Sequence, residues 1–376
     1  MKIGIIGAGI TGLTAAYDLA GAGHEVLVWE AADQPGGLAS GFRDEGWEWS
    51  LDRFYHHVFA TDAAIIALSR EIGAELFFRQ PETVIWHRGT MEAFDSPLAV
   101  LRFSHLSLPD KLRTGAVIAY LRLLRNWQPL EGIRAEEWLR RWMGERPYRV
   151  LWQPQFQAKF GAEYAQVNMA WFWARIHKRS SRLGYFEGGF QGFIDALTDR
   201  VRRQGAPILL NCATTAIEPQ PDDRLSLRFQ SPPAAELPTT FDRVLATVSP
   251  QLLSRLAPRL PADYLASLKQ LKSMGAVVLI LALRRQLTRG HYWINIPKGK
   301  GFPFLALVEH TNFIDPVHYG NDHLLYCGDY LPPDHEYFSL SKEELLARFL
   351  PSLSRLNPEF DRSWLKDSWL FRAKYA

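Results

Sequence analysis

Cysteine is scarce in this sequence, and neither sign of charge is in large excess. The two cysteines, Cys212 and Cys327, are far apart and lack metal-ligand spacing, which argues against a disulfide framework and favours a reducing compartment. A net charge of +3 over 376 residues gives no overall field that would attract nucleic acid. The longest apolar run in the interior, residues 276–283, is far shorter than the roughly 20 residues of a membrane-spanning helix. We therefore predict a cytoplasmic protein without a nucleic-acid partner.

Glycine is concentrated near the N-terminus, where Gly7, Gly9 and Gly12 form G-x-G-x-x-G between a predicted strand and a predicted helix. In this pattern the first glycine permits a tight turn, the second lets a pyrophosphate approach the backbone, and the third lets helix and strand pack closely. Glu30 ends the next predicted strand, where a carboxylate accepts hydrogen bonds from a ribose diol and repels a 2′-phosphate. The combined pattern predicts a dinucleotide-binding site.

A second glycine pair, Gly36 and Gly37, follows Glu30 after five intervening residues, and Ala16 occupies a small-residue position in the helix. This longer pattern resembles the FAD fingerprint of the family that contains amine oxidases, protoporphyrinogen oxidases, phytoene desaturases and UDP-galactopyranose mutases. The resemblance implies FAD as the cofactor. It also implies that Gly36 and Gly37 let the backbone run close to the FAD pyrophosphate and ribityl chain.

The resemblance covers nearly the whole chain and is most specific at residues 3–41. The segment "YFEGGFQGFIDALTDRVRRQGAPILLNCATTAIE", residues 185–218, is similar to the family segment in which a glycine pair opens a helix. The strand after that helix passes the adenine in the family, which implies that the main chain around Thr214 faces the adenine here.

The fold class that we predict is α/β, with a Rossmann-type FAD-binding domain interleaved with a substrate domain of antiparallel sheet plus helices. Strand and helix patterns assign residues 1–60, 185–250 and 325–376 to the FAD-binding domain. Residues 61–184, whose pattern is mostly helical, and residues 251–324 are assigned to the substrate domain. The predicted domains are therefore both discontinuous.

Two adjacent histidines, His56 and His57, lie in the stretch "SLDRFYHHVFATD" that leaves the nucleotide-binding region. Histidines can polarise a flavin carbonyl or shuttle a proton, which makes both catalytic candidates. On a strand they would point to opposite faces, so at most one would face the flavin. The alternative is that both only pack and form local hydrogen bonds.

A candidate substrate pocket is formed by polar groups that follow an apolar strand, beside an aromatic-rich sheet. Its members are Tyr292, Glu309, His310 and Asn312. The alternative is a hydrogen-bonded corner between strand and loop. His310 and His318 lack paired ligand spacing, so no metal site is predicted.

Residues 111–127 combine an apolar stripe with several lysine and arginine side chains. Helices on membrane surfaces have this composition, and it predicts a peripheral membrane contact. A helix whose apolar stripe packs on the core has the same pattern, so that alternative stays open.

The family resemblance implies an FAD-dependent oxidoreductase that transfers hydride from an amine or a CH–CH unit of a hydrophobic small molecule to flavin N5. Two alternatives stay open. The stretch "HHVFAT" loosely resembles the "PHIFHT" stretch of UDP-galactopyranose mutases, aligning His57 with its first histidine, which allows a flavin-dependent sugar isomerase. The second alternative is a non-catalytic nucleotide-binding protein.

The sequence ends at "SWLFRAKYA", where family members continue into a glycine-rich segment that meets the FAD phosphates and the flavin ring. We therefore expect a fragment, or a protein that lacks part of its FAD cradle. These 376 residues should bind FAD weakly or not at all compared with a chain extended to its native stop codon. Fluorescence titration of both forms with FAD tests this expectation, and equal, tight affinities would contradict it.

Overall fold

Most of the chain folds into sheets and helices that alternate along the sequence. The computed structural model describes residues 1–87, 89–93, 102–103, 105–231, 237–296 and 301–375. Within these ranges the strands form five sheets, of which one is parallel and the others are wholly or largely antiparallel.

Strands occur along the whole chain. Those of the first half are β1 (Lys2–Ile6), β2 (Glu25–Trp29), β3 (Gly41–Phe42), β4 (Leu51–Asp52), β5 (Val58–Phe59), β6 (Leu76–Arg79), β7 (Glu82–His87), β8 (Thr90–Ala93) and β9 (Leu183–Phe186). Those of the second half are β10 (Ile208–Leu209), β11 (Thr214–Pro219), β12 (Leu225–Phe229), β13 (Thr240–Phe241), β14 (Arg243–Ala246), β15 (Gly275–Leu283), β16 (His291–Asn295), β17 (Ala306–Glu309), β18 (His323–Leu331) and β19 (Leu365–Ala373).

Helices connect these strands and form a separate layer in the middle of the chain. They are α1 (Ile10–Gly21), α2 (Ala63–Ile72), α3 (Leu108–Leu123), α4 (Ala135–Trp142), α5 (Glu145–Pro147), α6 (Gln153–Phe160), α7 (Met169–His177), α8 (Phe190–Arg203), α9 (Pro250–Leu256), α10 (Ala262–Gln270) and α11 (Lys342–Phe349). Several begin at a side chain that accepts a backbone N–H, as Ser107 does for α3 and Asn168 for α7.

The parallel sheet has the order β10-β2-β1-β14. Its central strands are short apolar runs, almost entirely buried, which is typical of parallel strands covered on both faces. Because parallel neighbours need a crossover, α1 leaves β1 and returns the chain to β2. Helix α8 packs beside α1 in the same apolar core. The predicted α/β class, with a parallel nucleotide-binding type of sheet, is confirmed.

The second large sheet has seven strands in the order β19-β15-β18-β17-β16-β7-β8. Its pairs are antiparallel except β16 with β7. β15 is buried along its whole length because strands flank it on both sides and apolar clusters cover both faces. This sheet, with the helical layer, confirms the antiparallel sheet plus helices of the predicted fold class.

Residues 325–376 lie elsewhere than we predicted. We assigned them to the FAD-binding domain, but β18 and β19 both pair with β15 in the seven-stranded sheet. The physical reason is that β18 is buried on both faces, so its apolar run lacks the alternation that would identify an antiparallel partner. The position of β18 in the sheet depends on strands that are distant in sequence, and the local sequence pattern carries no information about them.

The region of residues 61–184 is less helical than its pattern suggests. It contains β6, which pairs with β9, and β7, which pairs with both β16 and β8. These strands are short, and the partners β9 and β16 lie far along the chain, so their signal is weak. The long helical pattern after residue 152 is interrupted at Gly161, which has a positive φ of 55°.

Candidate functional site

The turn after β1 presents backbone atoms to the start of α1. Gly7 has φ 103°, in the left-handed region that glycine adopts without strain. A Cβ atom on Gly12 would overlap the carbonyl oxygen of Gly7, so only glycine allows this packing. A Cβ atom on Gly9 would meet nothing within 4 Å, so the space beside it is open. Gly9 has no side chain to cap α1, which leaves the first N–H groups of the helix available to an anion.

The second glycine pair lies directly against this turn. Gly9 and Gly36 form an isolated parallel bridge, and the Gly36 N–H donates to the carbonyl of Ala8 at 2.8 Å. Gly36 and Gly37 both have positive φ, at 117° and 58°. A Cβ atom on Gly36 would lie 2.6 Å from Ile194 Cδ1, which would have to shift, and the positive φ of Gly36 disfavours any residue with a side chain. Residues 7–12 and 36–41 thus form one backbone surface, called the glycine cradle below.

Glu30 follows β2, and the chain that leads into β11, which begins at Thr214, runs beside it. The half-buried Glu30 carboxylate accepts hydrogen bonds from the N–H groups of Ala8 at 2.7 Å and Ala32 at 2.8 Å. Each carboxylate oxygen keeps capacity for another donor, such as a ligand hydroxyl. The Cys212 N–H donates to the Glu30 carbonyl, which brings the start of β11 to this position. The Thr214 hydroxyl is buried and makes no hydrogen bond within the described residues.

The two histidines lie in an irregular segment, because β5 begins only at Val58. His56 packs on Phe190 at 5.4 Å between ring centroids, and His57 packs edge-on against Trp293 at 5.7 Å. The Nδ1 atom of each ring is buried without a hydrogen-bond partner among the described residues. Burial lowers the pKa of both histidines, and that of His57 falls to about 3, with repulsion from Arg179 as the second cause. Both rings are therefore neutral at pH 7.

Asp52 is the buried carboxyl at the centre of this region, with 1% of its surface exposed. Its side chain accepts hydrogen bonds from the Tyr185 hydroxyl at 3.1 Å and from the Phe190 N–H at 3.2 Å. The Tyr326 hydroxyl donates to its main-chain carbonyl at 2.8 Å. Burial raises the pKa of Asp52 to about 8, against the opposing effect of the hydrogen bond from Tyr185. Asp52 is therefore mostly protonated at pH 7.

Two of the predicted pocket residues, Glu309 and Asn312, fold into a closed corner. The Glu309 carboxylate accepts hydrogen bonds from the N–H groups of Leu287 and Thr288, at 2.6 and 2.9 Å. It also accepts from the Asn312 side-chain amide at 2.9 Å, and it is fully buried. Burial raises the pKa of Glu309 in spite of these hydrogen bonds. The arrangement matches the alternative of a hydrogen-bonded corner.

The other two predicted pocket residues belong to the aromatic layer around Asp52. His310 Nε2 lies 3.0 Å from the Tyr319 hydroxyl, and burial lowers the pKa of His310 to about 3. Tyr292 is 1% exposed and packs on Phe313 at 4.9 Å between ring centroids. The structure does not bring these rings to an open volume in the described part of the chain, and their role in substrate binding stays a prediction.

A cavity of about 670 Å³ lies between α3, α7 and β7. A smaller cavity of about 160 Å³ adjoins it, next to α6, β16 and β18. The two share lining residues, namely Ile85, Gln155, Arg175, Arg179 and Asn295. Trp293 and Tyr330 line the smaller cavity and contact Tyr55, so the segment that carries the histidines touches its lining.

Two cavity residues, Arg175 and Arg179, were missed by the sequence analysis. They lie four residues apart at the end of α7, where basic side chains are common because they interact favourably with the helix dipole. The local pattern therefore gives no sign that they reach a cavity.

The described residues contain no helix that is long and apolar enough to cross a membrane. Among the same residues, no group of three or more histidine, cysteine, aspartate or glutamate side chains is placed to hold a metal ion.

Asp52→Asn should remove a pH dependence of stability. The folded pKa of about 8 lies above the unfolded value of about 4, so between these values the folded state binds more protons. Wild-type unfolding free energy should therefore fall, through this carboxyl, by about 1.4 kcal/mol per pH unit between about pH 5 and about pH 7. Asparagine can keep the contacts to Tyr185 and Phe190 without titrating.

Urea unfolding of both proteins across this pH range measures the difference. The buried residues His57 and His310 titrate in both proteins, and Tyr185, Tyr319 and Tyr326 face Asp52 in both, so subtraction isolates the carboxyl. Parallel pH profiles for wild type and variant would show that Asp52 is ionised in the folded protein.

Comparison with curated proteins gives partial matches. A Mycobacterium tuberculosis protein named as the flavin-containing monoamine oxidase AofH is 27% identical over 239 residues, which cover 57% of this chain and 50% of that protein. An L-amino-acid oxidase of Trimeresurus stejnegeri is 58% identical over 45 residues, covering 11% of this chain and 9% of its own. The match therefore spans half the length of AofH and much less of the snake enzyme.

Solved structures share the fold over nearly the whole chain. An Exiguobacterium protein named as a protoporphyrinogen oxidase has a TM-score of 0.76 at 19% identity, covering 99% of this chain and 86% of that one. Reduced UDP-galactopyranose mutase has a TM-score of 0.74 at 17% identity, covering 100% and 83%. Putrescine oxidase bound to putrescine has a TM-score of 0.70 at 18% identity, covering 98% and 84%.

The family model described as flavin-containing amine oxidoreductase matches residues 10–376, which is almost the entire chain. The match includes most of the glycine cradle, the histidine segment and both cavities. The chain belongs to the family of flavin-containing amine oxidoreductases.

Proposed function

We propose that this chain forms the FAD-binding and substrate-binding part of an oxidoreductase. Its substrate is a hydrophobic small molecule from which hydride is removed at an amine or a CH–CH unit. The observation that carries the proposal is the path of residues 36–57, which leads from the glycine cradle to the lining of the cavities. Tyr55, near the end of this path, contacts Trp293 at 5.1 Å between ring centroids.

The residues present fit an FAD. The open space beside Gly9 and the free N–H groups of α1 suit the pyrophosphate. Glu30 would accept hydrogen bonds from the ribose, and the chain around Thr214 would face the adenine, as the family resemblance implies. Arg53 Nε and His56 Nδ1 are buried without partners among the described residues, as is the Thr214 hydroxyl. Such atoms cost about 1–3 kcal/mol each when unpaired, so they support a ligand along this path.

The residues of this chain would position the substrate and shield it from water. When bound, the flavin accepts hydride from the substrate. His57 is neutral at pH 7, so it offers one ring nitrogen as a donor and the other as an acceptor. The cavity is lined largely by apolar side chains, which exclude water from a bound substrate.

Gly9→Ala tests the cofactor site with little effect on folding. Alanine is compatible with the Gly9 backbone at φ −70° and ψ 173°, and its methyl group meets no protein atom within 4 Å. The methyl group would instead occupy the space for the pyrophosphate. We expect FAD affinity to fall at least about tenfold, with an unchanged melting temperature. Glu30→Ala is a less specific probe, because it also removes two acceptors of backbone N–H groups.

The measurements are FAD titration and the visible spectrum before and after dithionite. Gly132→Ala is the matched control, because its methyl group would also meet nothing within 4 Å at a remote position. Flavin bands that bleach and return in air support the oxidoreductase. Equal FAD affinity of Gly9→Ala and Gly132→Ala would refute this site, and turnover of a UDP-sugar only with prereduced flavin would favour the mutase alternative.

We also propose that the outer face of α3 contacts an anionic membrane surface. Thr114, Val117 and Leu121 face the core. The opposite side carries Leu108 and Leu123, which are 64% and 81% exposed. Other large apolar side chains exposed here are Leu112, Tyr120 and Trp127, and the basic residues nearby are Lys111, Arg122 and Arg125. Leu112, Lys111 and Arg122 also line the larger cavity. Apolar groups beside basic groups match the interface of an anionic bilayer.

The double variant Leu108→Glu/Leu123→Glu should lose most binding to vesicles that contain phosphatidylglycerol, measured by co-sedimentation. Two new carboxylates would be repelled by the lipid surface and would not insert. Leu271→Glu is the control, because Leu271 is also an exposed leucine, at 53%, but lies outside α3. Equal sedimentation of all three proteins, or no sedimentation of wild type, would refute the contact.

A further inference from the structure

Three cationic side chains meet where the two cavities adjoin. Arg175 and Arg179 line both cavities, and Lys159 lines the smaller one. Burial lowers the pKa of Lys159, and repulsion from Arg175 and Arg179 lowers it further. Arg175 and Arg179 also repel each other. The protein therefore concentrates positive charge where the two cavities adjoin, and Lys111 and Arg122 add two further cationic side chains to the lining of the larger cavity.

These cations have no acidic partner among the described residues. Arg175 donates to the amide oxygen of Gln155 at 2.7 Å and lies over the ring of Trp171. Arg179 lies over the ring of Phe59, 5.5 Å from its centroid. Lys159 lies 5.5 Å from the ring centroid of Tyr330. Amide and ring contacts orient a cation, but they do not neutralise it.

Some arginines of the same helical layer are paired with acids, whereas Arg113 and Arg146 donate to backbone carbonyls. Arg140 contacts Glu136 at 2.7 Å, and Arg149 contacts Glu145 at 2.6 Å. An acidic partner is thus available to some arginines of this layer, and neither Arg175 nor Arg179 has one among the described residues.

Burial makes this charge costly. Desolvation lowers the pKa of Arg175 to about 9 and also lowers the pKa of Arg179 and of Lys159. Arg175 is half-buried and Arg179 is exposed, and both line the two cavities. A partly buried cation without an acidic partner, such as Arg175, is destabilising unless a ligand compensates its charge. The cost favours a binding role.

The other lining residues of the larger cavity indicate which chemical groups the ligand carries besides its charge. Apolar side chains surround the larger cavity, among them Ile85, Leu112, Ile118, Trp152, Ile176 and Leu183. A small inorganic anion would leave this apolar volume unfilled. The cavity therefore matches a molecule with one charged end and a hydrophobic body.

We propose that the substrate of this site is an amphiphilic anion, whose carboxylate or phosphate binds Arg175 and Arg179 and whose hydrophobic body fills the larger cavity. The guanidinium group suits either oxyanion, because its planar set of N–H donors pairs with two oxygens at once. The inference rests on the proposed oxidoreductase function of the site. It narrows that function, because the same cations repel an alkylammonium ion, so the CH–CH unit of an acid is favoured over a simple amine.

The test compares four probes of equal chain length: decanoate, decyl phosphate, decylamine and decanol. Binding to the purified protein at neutral pH, without added flavin, is measured by calorimetry and by tryptophan fluorescence. We expect decanoate or decyl phosphate to bind at least about tenfold more tightly than decylamine. The relative affinities of the two anions identify which oxyanion the arginines prefer.

Arg175→Gln and Arg179→Gln should each weaken anion binding at least about tenfold and leave decanol binding nearly unchanged. Arg182→Gln is the matched control, because Arg182 lies near Arg179 in sequence but stacks over Phe78 and not in the cavity. Arg175→Lys retains the charge and should weaken binding less than Arg175→Gln. Retained decanol binding and an unchanged near-ultraviolet spectrum show that a variant is folded.

Tighter binding of decylamine than of both anions would overturn the inference, as would wild-type anion affinity in both glutamine variants. The assay contains no flavin, so its result is independent of the proposed redox function. A protein without flavin bands that still selects anions would refute the redox function alone. A flavin-loaded protein that prefers decylamine would refute the anionic substrate alone.

Discussion

The close approach of two backbone segments at Gly9 and Gly36 is the constraint on which the rest of the site depends. Their bridge holds residues 36–41 against the first turn of α1, and no side chain could be added at Gly12 or Gly36 without a collision. Because this contact fixes where the chain leaves the parallel sheet, it also fixes the path of residues 42–57. The same glycines that leave room for a phosphate thus determine where the histidine segment can reach.

The second anchor of that path is the buried carboxyl of Asp52. It joins β4 to β9 through Tyr185, to the start of α8 through Phe190, and to β18 through Tyr326. These contacts come from two distant parts of the sequence, residues 185–190 and Tyr326, so the residue links β9 and the start of α8 to the seven-stranded sheet. A protonated carboxyl in this position avoids the cost of a buried charge while it keeps the hydrogen bonds.

The glycine cradle could be predicted because its signal is local: glycine spacing, a terminal acid and a second glycine pair fall within about forty residues. The fold class followed from the same local patterns. The assignment of residues 325–376 failed because β18 is buried on both faces and its partner β15 is distant. Glu309 illustrates a second limit, since a carboxylate after a strand has the same local pattern whether it faces a ligand or closes a corner.

The cations of the cavity illustrate why charge is hardest to interpret from sequence. Arg175 lies in the last turn of α7 and Arg179 lies two residues after the helix ends, where surface arginines are common, and only tertiary packing places them in the lining of a cavity. That packing also links them to the histidine segment, because repulsion from Arg179 contributes to the low pKa of His57. Charge at the cavity and the protonation state of the nearest histidine are therefore set by one arrangement. A neutral His57 follows from the positive cavity beside it as well as from burial.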